Sequence, residues 1–220
     1  MLHGWVLDNS FDEKPFRPSR SLDPAKAVPT FYDAPLLRTT VDNYHQMIDA
    51  GAIPADARCE LLFGWITDTM PPNPPHSKVS YLLMRHLIPL LPAPDYFFGT
   101  ADAITLSTSE PMPDFYVATG PEQLYDENHP GPDEVLLVIE ISDTTLRTDR
   151  VAKLAMYAAD AIPQYWIIDV KSRRIEIHTQ PRRGKLPGYK KREVFSASDD
   201  LPIVIGGKKL GAVRVSKLLP

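Results

Sequence analysis

The chain has 220 residues, a mass of 24.7 kDa, a formal net charge of −4 and one cysteine, Cys59. That length suffices for one domain with a substantial core, while a lone cysteine excludes an intrachain disulfide and a Cys-rich zinc site and points to a reducing cytoplasm. The N-terminus lacks a signal-peptide pattern, and Pro89, Pro92 and Pro94 interrupt the most apolar stretch well short of a membrane span, so a soluble cytoplasmic protein with no membrane partner is expected.

Residues 1–37 carry Pro15, Pro18, Pro24, Pro29 and Pro35 without sustained periodicity and read as an irregular Pro-rich extension; residues 38–220 then form the domain. Thr40 caps an expected short helix over 41–51 that closes at Gly51. A strand over 60–68 runs into the stiff 71-PPNPP-75 loop, followed by a helix over 76–91 with Val79, Leu83, Leu87 and Leu90 at helical spacing. Strands are expected at 103–107 and 114–119. The run 135-VLLVIEIS-142 is so continuously apolar that both its faces should be covered, which makes it the central strand.

A helix over about 149–159, a strand at 164–169, a turn and a strand at 174–180 follow, then a strand near Val194 and the tail 201–220. Strand, crossover helix and strand make 135–142 and 164–169 parallel neighbours. The fold class expected is α/β (α+β), a mixed central sheet flanked by helices. From Lys171 to Arg192 there are nine Lys or Arg against one acid, Glu176. That segment is either a solvated hairpin face or a patch that contacts phosphates.

Glu140 sits among Val138, Ile139 and Ile141, where an unpaired carboxylate is costly. Asp114, after Pro113 at the start of another strand, is the candidate neighbour. Two such carboxylates repel unless a divalent cation lies between them, and oxygen ligands of this kind suit magnesium or manganese better than zinc. Arg150, Lys153 and Tyr157 share one stripe of the following helix, so the Lys153 ammonium can stand close to both acids. Glu60 is a further candidate, as a metal ligand or general base. His76 reads first as a helix-start residue and second as a group facing the site. Each residue taken alone has a structural reading as a cap, an edge charge or a solvated lysine; their combination points to a site. No G-x-G-x-x-G opening a helix, no P-loop and no G-x-S-x-G occurs, so the loops for dinucleotide, nucleotide and hydrolase-elbow chemistry are missing.

The ordered set 59-CELLFGWITDTMPPNPPHSKVSYLLMRHL-87, 113-PDFYVATG-120, 138-VIEISDTT-145, 148-TDRVAKLAMYAADAIPQYWIIDVKSRRIEIH-178 and 200-DLPIVI-205 resembles the Uma-two family of endonucleases, within the PD-(D/E)XK restriction-endonuclease-like superfamily. The resemblance spans about residues 38–218. It implies a restriction-endonuclease-like core and an endonuclease dependent on Mg²⁺ (or Mn²⁺), with DNA a better substrate than RNA and a homodimer as the assembly. Residue by residue, it makes Asp114 the motif aspartate, Glu140 the core-strand acid, Lys153 the motif lysine moved onto the helix and Glu60 an N-terminal acid; Asp114, Glu140 and the Ile141 carbonyl would hold the metal. It also leaves room for a member that keeps the fold but only binds nucleic acid or serves assembly. Two departures stand out: Phe63 and Trp65 flank Gly64 where acidic residues are common, and Ser142-Asp143-Thr144 replaces a frequent Ser-Pro-Ser/Thr.

Overall fold

The computed structural model describes residues 37–54 and 56–219; the expected extension lies outside the described residues except for Leu37. Helix α1, Val41–Asp49, starts where the Thr40 hydroxyl oxygen accepts the Asn43 N–H at 3.1 Å, and the chain turns away at Gly51 with φ +68°. The single strand expected over 60–68 is instead a hairpin, β1 (Cys59–Leu62) and β2 (Trp65–Asp68). Phe63 and Gly64 turn it with φ of 52° and 81°, the paired positive dihedrals of a two-residue turn whose twist matches its strands.

Helix α2, Pro74–Leu87, begins two residues before the sequence predicts. Asn73 caps it by accepting the His76 N–H at 3.0 Å, and Pro74 and Pro75 fill first-turn positions whose N–H groups have no intrahelical partner. No strand forms over 103–107. Ile104 and Leu106 are buried as expected, but their N–H groups go to the Pro111 and Ser109 carbonyls and that of Thr105 to Pro130, tying a loop crosswise rather than extending a ladder. The sheet edge is supplied by the four-residue β3, Tyr96–Gly99, which follows Pro92 and Pro94 too closely for a periodicity to be read.

The main sheet has six strands in the order β3-β4-β5-β6-β7-β8. Besides β3 these are β4 (Phe115–Thr119), β5 (Val135–Ser142), β6 (Gln164–Asp169), β7 (Arg174–Arg182) and β8 (Gly188–Ser196). Only β5 and β6 are parallel, as the crossover predicts; the other pairs are antiparallel. The crossover, α3, is a helical run over 146–159: a turn at Leu146–Thr148, a π-helical turn at Asp149–Lys153 and an α-helical end at Leu154–Ala159.

Alternation along β5 sends Leu137, Ile139 and Ile141 to one sheet face and Val138 and Glu140 to the other. The first face packs on Val79, Leu83 and Leu87 of α2 and on a separate hairpin, β9 (Asp200–Ile205) and β10 (Lys208–Arg214). The second is covered by Met156 and Tyr157 of α3 with Ile104 and Leu106. Both faces of β5 are therefore dry, which is why the strand reads as a continuous apolar run. One face is apolar throughout; the other accepts charges.

Gly64 is fixed by its surroundings as well as its dihedral. A Cβ there would lie 2.8 Å from both Arg38 Cβ and the Thr39 carbonyl oxygen. Gly64→Ala should therefore cost about 1–2 kcal/mol or more, from left-handed strain plus the clash, read as a lower urea midpoint at unchanged slope.

Candidate active site

Strand pairing brings the expected groups together. β4 runs antiparallel to β5 with Phe115 opposite Ile139, so β4 ends where β5 still has Glu140, Ile141 and Ser142 to run. Asp114 continues the ladder with its side chain: its Oδ2 accepts the Ile141 N–H at 2.7 Å. Because a strand residue sends its N–H and C=O to the same side, the Ile141 carbonyl also faces this end of β4. Asp114 Oδ1 lies 3.0 Å from His76 Nε2 at the start of α2. That hydrogen bond raises the imidazole above its ordinary value, against the opposing effect of burial. The helix cap is thus Asn73, and the His76 ring faces the site; its Nδ1 is buried without a hydrogen-bond partner.

Glu140 points to the opposite sheet face from Ile141 and is 4% exposed. Its Oε1 accepts from Lys153 Nζ at 2.9 Å and from the Tyr157 hydroxyl at 2.7 Å, two donors one α-helical turn apart on α3. Burial pushes the Glu140 carboxyl up to about 8, with the Lys153 charge opposing it. The Lys153 ammonium is pulled down by burial but pushed further up by Glu140, Glu60 and Asp149, and stays a cation. Glu60, on β1, completes the group: its Oε2 accepts the Met112 N–H at 3.1 Å and its Oε1 lies 3.9 Å from Lys153 Nζ. Glu60, His76, Asp114, Glu140, Ile141 and Lys153 line a single cleft of about 850 Å³. A hollow of about 920 Å³ beside α1 holds none of them, and its His45 is taken up by Glu110 at 2.6 Å.

A family model described as "Putative restriction endonuclease", Uma2, matches residues 41–207. The chain belongs to the Uma2 family. Its fold is similar to a crystal structure described as "a putative nuclease belonging to DUF820 from Anabaena variabilis ATCC 29413", with a TM-score of 0.53 and 17% identity over 81% of this chain and 96% of that one. At that identity the likeness shows the fold alone. No curated protein matches the chain. As a Uma2 member the chain has a nuclease-type fold with a mixed central sheet, as the sequence predicts.

Among the described residues, no three His, Cys, Asp or Glu side chains are grouped to hold a metal ion by themselves. The cleft of this Uma2 chain offers instead several carboxylates, Asp114, Glu140 and Glu60 among them, and the main chain of Ile141. These are hard oxygen donors, whose chemistry fits a hard divalent cation.

Several groups around the cleft escape sequence reasoning. Asp149, 2% exposed, accepts from the Ser142 and Thr145 hydroxyls, while its carbonyl accepts from the Tyr165 hydroxyl at 3.1 Å. The spacing of Ser142 and Thr145 before Asp149 is a visible local signal, but it reads as an ordinary helix start. The basic segment is divided. β7 runs antiparallel to β6, so Lys171, Arg173 and Arg174 lie at the cleft end of the sheet, while Arg182 lies eight residues along β7, roughly 26 Å away. Arg192 on β8 is half-exposed but is taken up by Glu176, to whose Oε1 and Oε2 it donates at 2.9 and 3.1 Å.

Glu176, 2% exposed, also accepts from Arg150 and lies 3.3 Å from His178 Nε2. Burial alone would raise its carboxyl, but the hydrogen bonds from Arg192 and Arg150 outweigh burial and hold it at about 2. With the folded value below the ordinary 4.5, the ionised form favours the native state; that stability is present above about 4.5 and lost as pH falls toward about 2. Glu176→Gln should lower stability at pH 7 by about 1–3 kcal/mol, the smaller end reflecting half-exposed guanidiniums. The difference from the parent should close between pH 4.5 and 2 in acid-unfolding curves followed by circular dichroism.

Proposed function

We propose that the protein is a divalent-cation-dependent endonuclease that hydrolyses nucleic-acid phosphodiester bonds, with DNA preferred to RNA and a homodimer as the working assembly. The observation that carries this reading is the meeting, in one cleft, of Asp114, Glu140, Lys153 and Glu60 from β1, the start of β4, β5 and α3. Asp114, Glu140 and the Ile141 carbonyl would hold Mg²⁺ or Mn²⁺, and the ion would supply Lewis acidity toward a phosphate oxygen and acidify a water.

The chain's own residues then divide the work. Lys153 is a fixed, protonated ammonium, so its role is to stabilise negative charge growing on the phosphate rather than to accept a proton. Glu60, 3.9 Å from the Lys153 ammonium, is assigned the proton of the attacking water or a further place on the cation. His76 holds Asp114 in place through Oδ1. Lys171, Arg173 and Arg174 would hold backbone phosphates by contacts that weaken with salt. Cleavage would leave a 3′-hydroxyl and a 5′-phosphate.

One observation favours a second reading. Among the described residues no three-ligand group is preformed, and both Asp114 oxygens already have partners, as a module that binds nucleic acid or serves assembly without cutting would have. Supercoiled plasmid with Mg²⁺ or Mn²⁺ separates the two. The parent should nick it, and Asp114→Asn, Glu140→Gln and Lys153→Met should each slow nicking by roughly 100-fold or more. Salt-sensitive binding with no cation-dependent nicking in any form would instead support the module.

Proton and cation compete for Glu140. With its carboxyl at about 8, the apparent Mn²⁺ affinity, measured by calorimetric titration, should rise by up to tenfold per unit from pH 6 to 8 and level off above. In Glu140→Gln the slope should shrink to the part set by the His76 imidazole beside Asp114.

A further inference from the structure

We propose that Glu176 and Arg150 form a positioning clamp that sets where α3 presents the Lys153 ammonium. The inference rests on the nuclease reading for the meaning of Lys153, and its geometry is independent of it. Glu140 on β5 and Glu176 on β7 occupy one row of the same sheet face, with Ile167 of β6 between them. Two strand spacings, about 10 Å, separate the backbones that carry them. Lys153 goes to Glu140 on one side, and Arg150 goes to Glu176 on the other, with Arg150 Nε at 3.0 Å from Glu176 Oε1, a second contact from the same guanidinium, and a longer one, 3.5 Å, to Asp169 at the end of β6.

In an α-helix, residues three apart lie close to the same face, so both cations would lean toward one strand. Here Arg150 and Lys153 belong to a π-helical turn, whose extra residue spreads them across β6. The turn is held at its start by Asp149, which binds Ser142, Thr145 and Tyr165, and from the β7 side by Arg150. Neither Arg150 nor Glu176 lines the cleft, so any effect they have on chemistry passes through α3. Stability alone does not call for Arg150, because Arg192 already donates twice to Glu176 from β8 and His178 stands beside it. What Arg150 adds is a link between the sheet and the turn that carries Lys153.

Glu176→Ala would strand Arg192 as well, so Arg150→Gln, which leaves Glu176 satisfied from β8, carries the test. The full chain is treated with an amine-acylating N-hydroxysuccinimide ester, and labelling of Lys153 relative to Lys171 is read by mass spectrometry; plasmid nicking is measured in parallel. In the parent, Lys153 has a 12% exposed, ion-paired side chain and should resist the reagent. Arg150→Gln should raise its labelling about tenfold and lower kcat roughly 10- to 100-fold with KM within twofold, and Arg150→Lys should recover part of both. Val213→Ala, a core truncation in the β9–β10 hairpin, serves as the stability control and should leave both unchanged.

The clamp is overturned if Arg150→Gln leaves labelling within twofold of the parent, if labelling rises while kcat holds in an active parent, or if Val213→Ala reproduces both changes. A parent that does not nick DNA overturns the nuclease reading, and the labelling ratio then decides the clamp by itself.

Discussion

The site depends on one buried carboxylate. Glu140 occupies a core strand whose neighbours are Ile139, Ile141 and Ile167, and such a position costs several kcal/mol for an ion unless charge and hydrogen bonds answer it. Lys153 and Tyr157 answer it from one helix face. That requirement fixes much else: α3 must lie over the sheet close enough for a lysine to reach, and the sheet face concerned must tolerate charge; β1 brings Glu60 to 3.9 Å from the same ammonium. The other face, closed by α2 and the β9–β10 hairpin, carries the apolar packing that keeps the strands in register.

A second buried acid obeys the same rule. Glu176 lies two residues in from the cleft end of β7, under two guanidiniums, and its ionised form is strongly favoured, whereas Glu140 with a single ammonium is held near neutrality of charge. The difference follows from the count and geometry of donors. Bidentate arginine contacts on both carboxylate oxygens outweigh desolvation; one ammonium and one phenol on a single oxygen do not. The acid left closer to its neutral form is the one with an oxygen to spare in the cleft.

Much of this was legible in the chain. The continuous apolar run of β5 and the crossover to β6 follow from composition and length, and the spacing of Lys153 and Tyr157 on a helix that starts beside Glu140 places both on one face. The failures have physical causes. Phe63 adopts a positive φ that its side chain does not advertise, so one strand was expected where a hairpin folds. The 103–107 segment has the alternation of a strand, but prolines at 111 and 113 remove the donors with which a neighbouring strand would complete its ladder. The basic run reads as one patch because sequence has no ends of a sheet; register sends its two halves to opposite ends and pairs Arg192 with Glu176.

Asp114 gives its two oxygens separate tasks, and this decides which part of the molecule can yield. Oδ2 stands in for a missing strand residue at the Ile141 amide, while Oδ1 meets only the His76 ring. A group that took the place of the imidazole at Oδ1 would leave the β-ladder whole. The change would fall on His76 in the first turn of α2, beside the Asn73 cap, while Oδ2 kept its hold on β5.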